Sequence, residues 1–362
     1  MPGFAVAHGL RPVISVLALL CLLPACVPTS PQLSTAAGLE RFAARPATPP
    51  VSESSLNQAR VALGLRLFFE PRLSAGNQMS CASCHQPGRG FSNGEPNAAG
   101  VNGQRGTRNT PTLYGVSHYQ TLFWDGRSPD LEDQALAPIQ NPLEMNESLP
   151  RVVLKLSELP YYRVKFQQIF GTAITAAGIA EALASFERAL QLKPSAYDRY
   201  LEGQLDALTP EQERGMILFG RQAHCATCHK GLKMTDNKFH NLGVGMHQPQ
   251  PDLGRFTVTR QPEDTGAFRT PSLRNIAQTG PYMHDGSLRT LEDVIEFYDR
   301  GGFPNPYLSH EMNPLDLSTQ DKQDLLAFLR VLNSPDNLRE LAALPGVQLP
   351  GEPLPEGLAR LR

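Results

Sequence analysis

A chain of 362 residues with 33 basic and 35 acidic side chains carries a formal charge of only −2. It contains no basic or acidic block, so the sequence gives no electrostatic case for binding nucleic acid or for strong attraction to a charged membrane surface. The length is sufficient for two domains of ordinary size. The 32 prolines and 30 glycines predict many loops.

The first 26 residues have the features of an export signal. Arg11 precedes an apolar run over 13–23, which is too short to span a bilayer. The small residues before Cys26 resemble a lipobox, in which the cysteine becomes the lipidated N-terminus of the mature chain. The alternative is that Cys26 is an ordinary signal-peptide residue. We expect a periplasmic protein that contacts the membrane only through this anchor, with a flexible tether over 27–52.

Periodicity and capping residues predict a mainly α-helical body. Apolar residues recur at helical spacing over 56–69, 149–156, 161–170, 179–192 and 318–332, the last predicted helix. Thr209-Pro210-Glu211-Gln212 combines an N-cap, a first-position proline and a capping-box glutamine, so a helix should begin there. The domain boundary falls between about 194 and 209. The predicted divisions are an N-terminal domain over 53–200, a C-terminal domain over 201–343 and a Pro/Gly-rich tail over 344–362.

Each predicted domain contains one Cys-x-x-Cys-His run. This spacing lets two thiols bind the vinyl groups of a c-type haem while the adjacent histidine ligates the iron. The main rival is a zinc site made from two Cys-x-x-Cys pairs, and a histidine directly after each pair argues against it. The other two of the six cysteines lie in the signal region, so none remains for a disulfide. The predicted haem-binding residues are Cys81, Cys84, His85, Cys225, Cys228 and His229.

Motifs beyond the haem runs also occur twice. Thr-Pro at 110 recurs at 270, Asp-Gly at 125 recurs at 285, and Leu-Glu-Asp at 131 recurs at 291, always 160 residues apart. The haem runs themselves are offset by 144 residues, so the second half has additional residues between its haem run and Thr-Pro. A constant offset predicts a duplicated haem domain.

The two copies differ at positions that bear on iron ligation. Trp124 corresponds to His284, and Pro138 corresponds to Tyr298. If the segment after Asp-Gly lies over the distal face of its haem, Tyr298 offers an oxygen to the second iron where Pro138 has no donor. The first iron would then be open to peroxide, and the second would be closed and suited to passing electrons.

Several of these segments resemble the bacterial dihaem cytochrome c peroxidase and MauG superfamily. The resemblance covers nearly all of 56–335. It implies two cytochrome c-like, mainly helical domains, with the peroxide site at the N-terminal haem and electron transfer at the C-terminal haem. The segments that carry the resemblance are Leu67-Phe68 through the first haem run, Arg108-Asn109-Thr110-Pro111, Phe123-Trp124-Asp125-Gly126-Arg127, Asn141-Pro142-Leu143-Glu144-Met145 and Pro281-Tyr282-Met283-His284-Asp285-Gly286.

The resemblance also implies roles for individual residues near the first haem. Glu144 matches the distal acid and base that moves the protons of hydrogen peroxide. Gln134 matches a distal-pocket hydrogen-bond partner, although a polar helix face explains it equally well. Trp124 matches an electron relay between the haems, and it can serve as a core aromatic at the same time. No histidine occurs between His85 and His118, so we expect no reductive activation step of the kind that a blocking histidine imposes.

Two further roles follow for the second half. At the position of Tyr298 the family's peroxidases of cytochrome c have methionine, whereas its MauG-type proteins have tyrosine. A tyrosine ligand favours ferric iron, so the second haem should have a lower potential than a His/Met haem. The side chain of Asn109 and the backbone carbonyls of Thr279 and Pro281 match the ligands of a structural calcium ion. Without calcium, these three are ordinary turn residues.

Three functions agree with the sequence. The first is a peroxidase that takes electrons from a small periplasmic cytochrome c or copper protein and reduces hydrogen peroxide. The second is a MauG-like enzyme that oxidises side chains of a partner protein, which Tyr298 favours. The third is an electron carrier without catalysis, which requires two six-coordinate low-spin haems.

Overall fold

The computed structural model describes residues 55–348 and 353–361. The predicted signal segment with Cys26 and the tether over 27–52 lie outside the described residues. Within those ranges the fold is mainly helical, and no helix combines the length and the apolar character that a membrane span requires. The only regular sheet there is a two-stranded antiparallel pair, β1 (Phe239–His240) and β2 (Phe268–Arg269).

The helices agree with most of the sequence predictions. Those up to residue 201 are α1 (Ser55–Phe68), α2 (Cys81–Cys84), α3 (Leu131–Gln140), α4 (Leu149–Ser157), α5 (Pro160–Phe170), α6 (Ala176–Ala189) and α7 (Ala196–Leu201). The following helices are α8 (Pro210–Gly220), α9 (Phe256–Thr259), α10 (Leu291–Asp299), α11 (Thr319–Val331), α12 (Leu338–Ala342) and α13 (Glu356–Ala359). The prediction that the helix near 318–332 is the last was wrong, because α12 and α13 follow it.

The predicted N-cap at Thr209 is confirmed. Its side-chain oxygen accepts a hydrogen bond from the backbone N–H of Gln212, and the Gln212 side chain accepts one from the Thr209 N–H in return. Pro210 occupies the first helical position, where a missing N–H costs nothing. These local contacts set the start of α8 and therefore its register ahead of the second haem run.

Two buried clusters of apolar side chains form the interior. The first surrounds α1 and α6, and the second surrounds α8 and α11. In each cluster a glycine brings the two helices together. A Cβ at Gly64 would lie 1.8 Å from the carbonyl oxygen of Ala182, and one at Gly215 would lie 1.9 Å from that of Asp324. Any larger residue would push these helices apart, since such a separation is far below van der Waals contact.

The C-terminal segment, predicted as a tail, packs against the first cluster. The side chains of Val347 and Leu358 are fully buried there. The guanidinium of Arg66 on α1 donates hydrogen bonds to the carbonyl oxygens of Val347, at 3.3 Å, and Pro353, at 2.6 Å. Leu338 of α12 belongs to the same cluster, so the chain returns to the first cluster after it has built the second.

Backbone contacts repeat at the spacing at which the sequence motifs repeat. The N–H of Leu122 donates to the carbonyl of Ser128 at 2.8 Å, and the N–H of Tyr282 donates to that of Leu288 at 2.6 Å. Both loops also contain a non-glycine residue with positive φ at the same relative position, Phe123 and Met283. The Asp-Gly loops of the two halves therefore have similar local backbone geometry.

The two Asp-Gly loops are also joined to the opposite half in a reciprocal way. The backbone N–H of Asn109 donates to the carbonyl of His284 at 2.7 Å, and the N–H of Arg269 donates to the carbonyl of Trp124 at 2.8 Å. Residues 109 and 269, and likewise 124 and 284, are separated by the repeat spacing of 160. Each loop is therefore held by the strand-like segment before Thr-Pro of the other half.

Candidate functional site

None of the four cysteines of the haem runs forms a disulfide bond. Burial raises the pKa of Cys81 and Cys225, that of Cys225 to about 12, and it raises the pKa of Cys84 to about 11. Cys81, Cys84 and Cys225 are therefore protonated at neutral pH. Among the described residues, the cluster of possible metal ligands is Cys228, Asp236 and His240, which contains no cysteine of the first run.

The two histidines that follow the cysteines are oriented alike. His85 Nδ1 lies 3.0 Å from the carbonyl oxygen of Phe91, and His229 Nδ1 lies 3.0 Å from that of Met234. A carbonyl can only accept, so Nδ1 carries the proton and donates it, which leaves the lone pair of Nε2 free for a metal. Burial lowers the pKa of both rings and keeps them neutral. The donor set in each half therefore fits a haem iron.

A large, mainly apolar cavity opens beside the second haem run. Cys225, Cys228 and His229 line it, and so does Tyr298, which α10 carries. Burial, together with the nearby Cys225 and Cys228, raises the pKa of the Tyr298 hydroxyl. That hydroxyl forms no hydrogen bond with the part of the chain that the structure describes. Met283 and Met312 also line the cavity, and the apolar walls with two thiols and an imidazole suit a haem.

Glu144 lies near the first haem run. Its charge contributes to the raised pKa of Cys84, which places the two side chains close together. Asn141 Nδ2 donates a hydrogen bond of 2.7 Å to Glu144 Oε1. Burial raises the pKa of the Glu144 carboxyl, while this hydrogen bond and the charge of Arg127 act in the opposite direction. A carboxyl whose pKa is raised toward neutrality can both release and regain a proton.

The other residues predicted around the first haem lie on α3. Gln134 and Pro138 are one helical turn apart, so they share a face of this helix. The N–H of Met145 donates to the carbonyl of Pro138 at 3.2 Å, and the N–H of Val101 donates to the carbonyl of Glu144 at 2.8 Å. The segment that carries Glu144 is thus fixed between α3 and the preceding loop.

Trp124 lies next to the second cavity. Its indole Nε1–H donates a hydrogen bond of 2.9 Å to the backbone carbonyl of Asn109, and its ring lines the cavity that contains Tyr298. The preceding Arg108 forms ion pairs of 2.7 Å with Asp125 and with Asp252. This network explains structurally why the Arg-Asn-Thr-Pro and Trp-Asp-Gly motifs occur together.

The residues predicted to bind calcium lie at the same cavity. Asn109, Thr279 and Pro281 all line it. Asn109 Nδ2 donates to the carbonyls of Glu95, at 2.9 Å, and Pro96, at 3.2 Å, which orients the amide. Within the described ranges, neither the Thr279 nor the Pro281 carbonyl accepts a hydrogen bond, so both oxygens are available to a cation. The calcium site stays a prediction.

Two buried charged residues were missed by sequence reasoning. Glu187 on α6 is 6% exposed, and its charge helps to raise the pKa of Cys81. Arg269, 4% exposed, lies on β2 beside the second cavity. A sequence signal existed only for Arg269, which occupies the position that corresponds to Asn109 in the repeat. Glu187 has the appearance of an ordinary helical glutamate.

Comparison with known proteins gives consistent matches. The family model of the di-haem cytochrome c peroxidase matches residues 58–206. The chain is 39% identical to the methylamine utilization protein MauG of Methylorubrum extorquens, over 88% of this chain and 89% of that protein. It is 33% identical to the cytochrome c551 peroxidase of Pseudomonas aeruginosa, over 82% of this chain and 83% of that protein. A crystal structure of a MauG-like protein associated with microbial copper homeostasis is 34% identical with a TM-score of 0.73, covering 85% of this chain and 96% of that one.

Proposed function

The chain belongs to the family of dihaem cytochrome c peroxidases and MauG proteins, and on that premise we propose that it reduces hydrogen peroxide at a first haem. Membership makes it an oxidoreductase with c-type haem cofactors. Cys81, Cys84 and His85 would hold the haem of the peroxide site. The second haem, on Cys225, Cys228 and His229, would deliver electrons from an external donor.

The observation that carries this proposal is the difference between Tyr298 and Pro138, which occupy corresponding positions in the two halves. Tyr298 lines the cavity of His229, so its hydroxyl oxygen would help to hold the iron of the second haem. The corresponding position in the first half is Pro138, whose side chain has no atom that can bind iron. When bound, the first haem would supply the redox chemistry of peroxide reduction.

Glu144 would carry the proton steps at that site. Peroxide reduction consumes two electrons and two protons for each molecule and yields two molecules of water. The Glu144 carboxylate would accept a proton from one oxygen of hydrogen peroxide and return it to the other oxygen, which departs as water. The raised pKa of Glu144 supports this role, because a strongly acidic carboxyl would return the proton slowly. Gln134, on the same helical face as Pro138, would orient the peroxide through its side-chain amide.

Trp124 would carry electrons from the second haem toward the first. Its contact with the second cavity and its hydrogen bond to the Asn109 carbonyl hold the ring in one position. The oxygens of Asn109, Thr279 and Pro281 would bind calcium, a hard cation that prefers such ligands. This ion would join the two halves close to Trp124.

The repeated contacts support a duplicated haem domain. Helix pairs that approach at glycine, and loops with matching hydrogen bonds, occur once in each half. We place the domains at 53–200 and 201–343. We also propose export to the periplasm, with Cys26 as a lipid anchor, and a small cytochrome c or copper protein as electron donor.

A MauG-like activity is the second candidate, and Tyr298 is the observation that favours it. A tyrosine oxygen stabilises ferric iron, which lowers the driving force for accepting electrons from a small donor. The two electrons that peroxide requires would then be drawn from side chains of a partner protein, which would be oxidised. The identity to MauG of Methylorubrum extorquens agrees with this candidate.

Electron paramagnetic resonance of the untreated ferric protein, followed by a turnover assay, tests these functions. One high-spin and one low-spin signal are expected, and two low-spin signals would leave only an electron carrier. Rapid peroxide-dependent oxidation of reduced cytochrome c supports the peroxidase, whereas absent turnover with retained peroxide reactivity supports the MauG-like enzyme. Glu144→Gln should lose that reactivity. The exposed Glu158 provides the matched control, Glu158→Gln, which should keep it.

A further inference from the structure

Arg269 is a buried cation without a carboxylate partner in the described part of the chain. Its side chain is 4% exposed. The Nε–H donates only a long hydrogen bond, of 3.3 Å, to the carbonyl of Phe123, and the buried Nη1 has no hydrogen-bond partner. Burying an uncompensated guanidinium is costly, because the charge loses its hydration without gaining a partner. The site therefore calls for an anion that is not part of the polypeptide.

The surroundings of Arg269 indicate where that anion would lie. Arg269 and Tyr119 both line the second haem cavity, and the guanidinium carbon stacks 3.4 Å from the centre of the Tyr119 ring. The Tyr119 hydroxyl accepts a hydrogen bond of 2.8 Å from the N–H of Ser272. Its own proton has no acceptor among residues 55–348 and 353–361. An N–H and an O–H, each without an acceptor, are thus available at one side of this cavity.

Arg269 is also the single permanent cation among the described residues that line the second haem cavity. It is the only lysine or arginine among the described residues that line the cavity, whose walls are otherwise mainly apolar. A c-type haem attached at Cys225 and Cys228 carries two propionate groups, which are carboxylates at neutral pH. A planar guanidinium matches the geometry of a carboxylate and can bind it through two parallel hydrogen bonds.

We infer that Arg269, assisted by the hydroxyl of Tyr119, binds a propionate carboxylate of the second haem. This inference rests on the proposed occupation of the cavity by that haem. The backbone N–H of Arg269 also donates to the carbonyl of Trp124 at 2.8 Å. One residue would therefore contact both the cofactor and the proposed electron relay. The group touches the haem and not the peroxide, so it positions the cofactor and tunes its potential.

Two consequences follow from the charge. A fixed cation beside the haem favours the ferrous state, which has one positive charge less than the ferric state, so Arg269 raises the reduction potential. This increase in the reduction potential opposes the decrease that a Tyr298 ligand would cause. The cation also keeps the propionate ionised, so this group should add little pH dependence to the potential of the second haem between pH 5.5 and 8. The remaining dependence would come from His224, His240, His284 and Glu311, which line the same cavity.

Spectroelectrochemical titration of the holoprotein measures the potential of the second haem in Arg269→Gln and Arg269→Lys. In Arg269→Gln we expect the equilibrium constant for reduction to fall about tenfold, which is about 59 mV for one electron, and a new pH dependence to appear. Arg269→Lys should restore most of the potential. Arg274→Lys is the matched control, since Arg274 follows Arg269 by five residues, pairs with Asp198 of α7 at 2.7 Å and is absent from the lining of the cavity. It should leave the potential unchanged.

A second measurement tests the contact with the propionate even if the Arg269→Gln protein does not accumulate. Resonance Raman bands from bending of the propionate groups report their hydrogen bonds, and they should shift in Tyr119→Phe and in Arg269→Lys. Unchanged bands in both variants would overturn the inference. So would an Arg269→Gln protein that contains two haems and has the wild-type potential and pH profile. A wild-type protein with only one covalently bound haem would instead refute the proposed function.

Discussion

Glu187 provides a direct test of how a buried carboxyl near the first haem run behaves. Burial raises the pKa of this carboxyl to about 8, partly opposed by the charge of Arg188 and assisted by that of Glu132. Its Oε2 atom is buried and has no hydrogen-bond partner within 55–348 and 353–361. The folded protein should therefore hold this side chain in the protonated, neutral form over much of the physiological pH range, whereas the unfolded chain releases the proton near pH 4.5.

The sign and size of the effect on stability follow from this difference in proton binding. Between pH 4.5 and 8 the folded state binds one proton more than the unfolded state, so the free energy of unfolding decreases as the pH rises. Each pH unit in this window removes about 1.4 kcal/mol. Between pH 5 and pH 8 the wild-type protein should lose roughly 4 kcal/mol through Glu187 alone. A glutamine side chain does not titrate in this range, so the Glu187→Gln variant should not show this loss of unfolding free energy.

Urea unfolding of the ferric holoprotein, followed by circular dichroism at several pH values, measures this loss. Glu187→Gln should gain stability relative to the wild type as the pH rises, with the largest gain at pH 8. Glu181→Gln is a matched control on the same helix, because the Glu181 side chain is 42% exposed and should contribute little pH dependence. If the free energies of unfolding of wild type and Glu187→Gln run parallel from pH 5 to pH 8, the reasoning about Glu187 is wrong.

Four further outcomes are expected. Tyr298→Met should raise the potential of the second haem in a redox titration, and an unchanged potential and spectrum would show that Tyr298 is not a ligand. Glu144→Gln should slow the reaction with peroxide by about 10²- to 10⁴-fold in stopped-flow measurements, and a wild-type rate would exclude the proton role. Gly215→Ala should cost about 1–3 kcal/mol of unfolding free energy because of the Asp324 carbonyl, whereas Gly106→Ala, with open space around it, should not. Removal of calcium by a chelator should slow electron transfer between the haems; an unchanged rate argues against an ion at the predicted site.

The elements that local sequence determines could be predicted. The capping box at Thr209 and the apolar spacing of α1 depend only on residues within a few turns, so the structure confirmed them. The fate of the C-terminal segment could not be predicted in the same way. Val347 and Leu358 lie among prolines and glycines without any period. Their burial depends on packing against the first cluster, and Val347 also accepts a hydrogen bond from Arg66, 281 residues earlier.

For the candidate site, the residue types were predictable but their environments were not. The haem runs identify the thiols and imidazoles through spacing alone. The orientation of the imidazoles depends on the carbonyls of Phe91 and Met234, which any residue could supply. The unusual properties of Glu187 and Arg269 come from burial, and burial of a single charged residue is a property of the tertiary structure that no local pattern reports.

The packing of the C-terminal segment against the first cluster has a consequence for the order of folding. Ribosomes deliver α1 first and the segment around Val347 and Leu358 last. Until that segment arrives, the part of the first cluster that it covers and the hydrogen-bonding groups of Arg66 are open to water. The first half can therefore reach its final packing only after the second half has been made, and truncation at the C-terminus would damage the beginning of the protein.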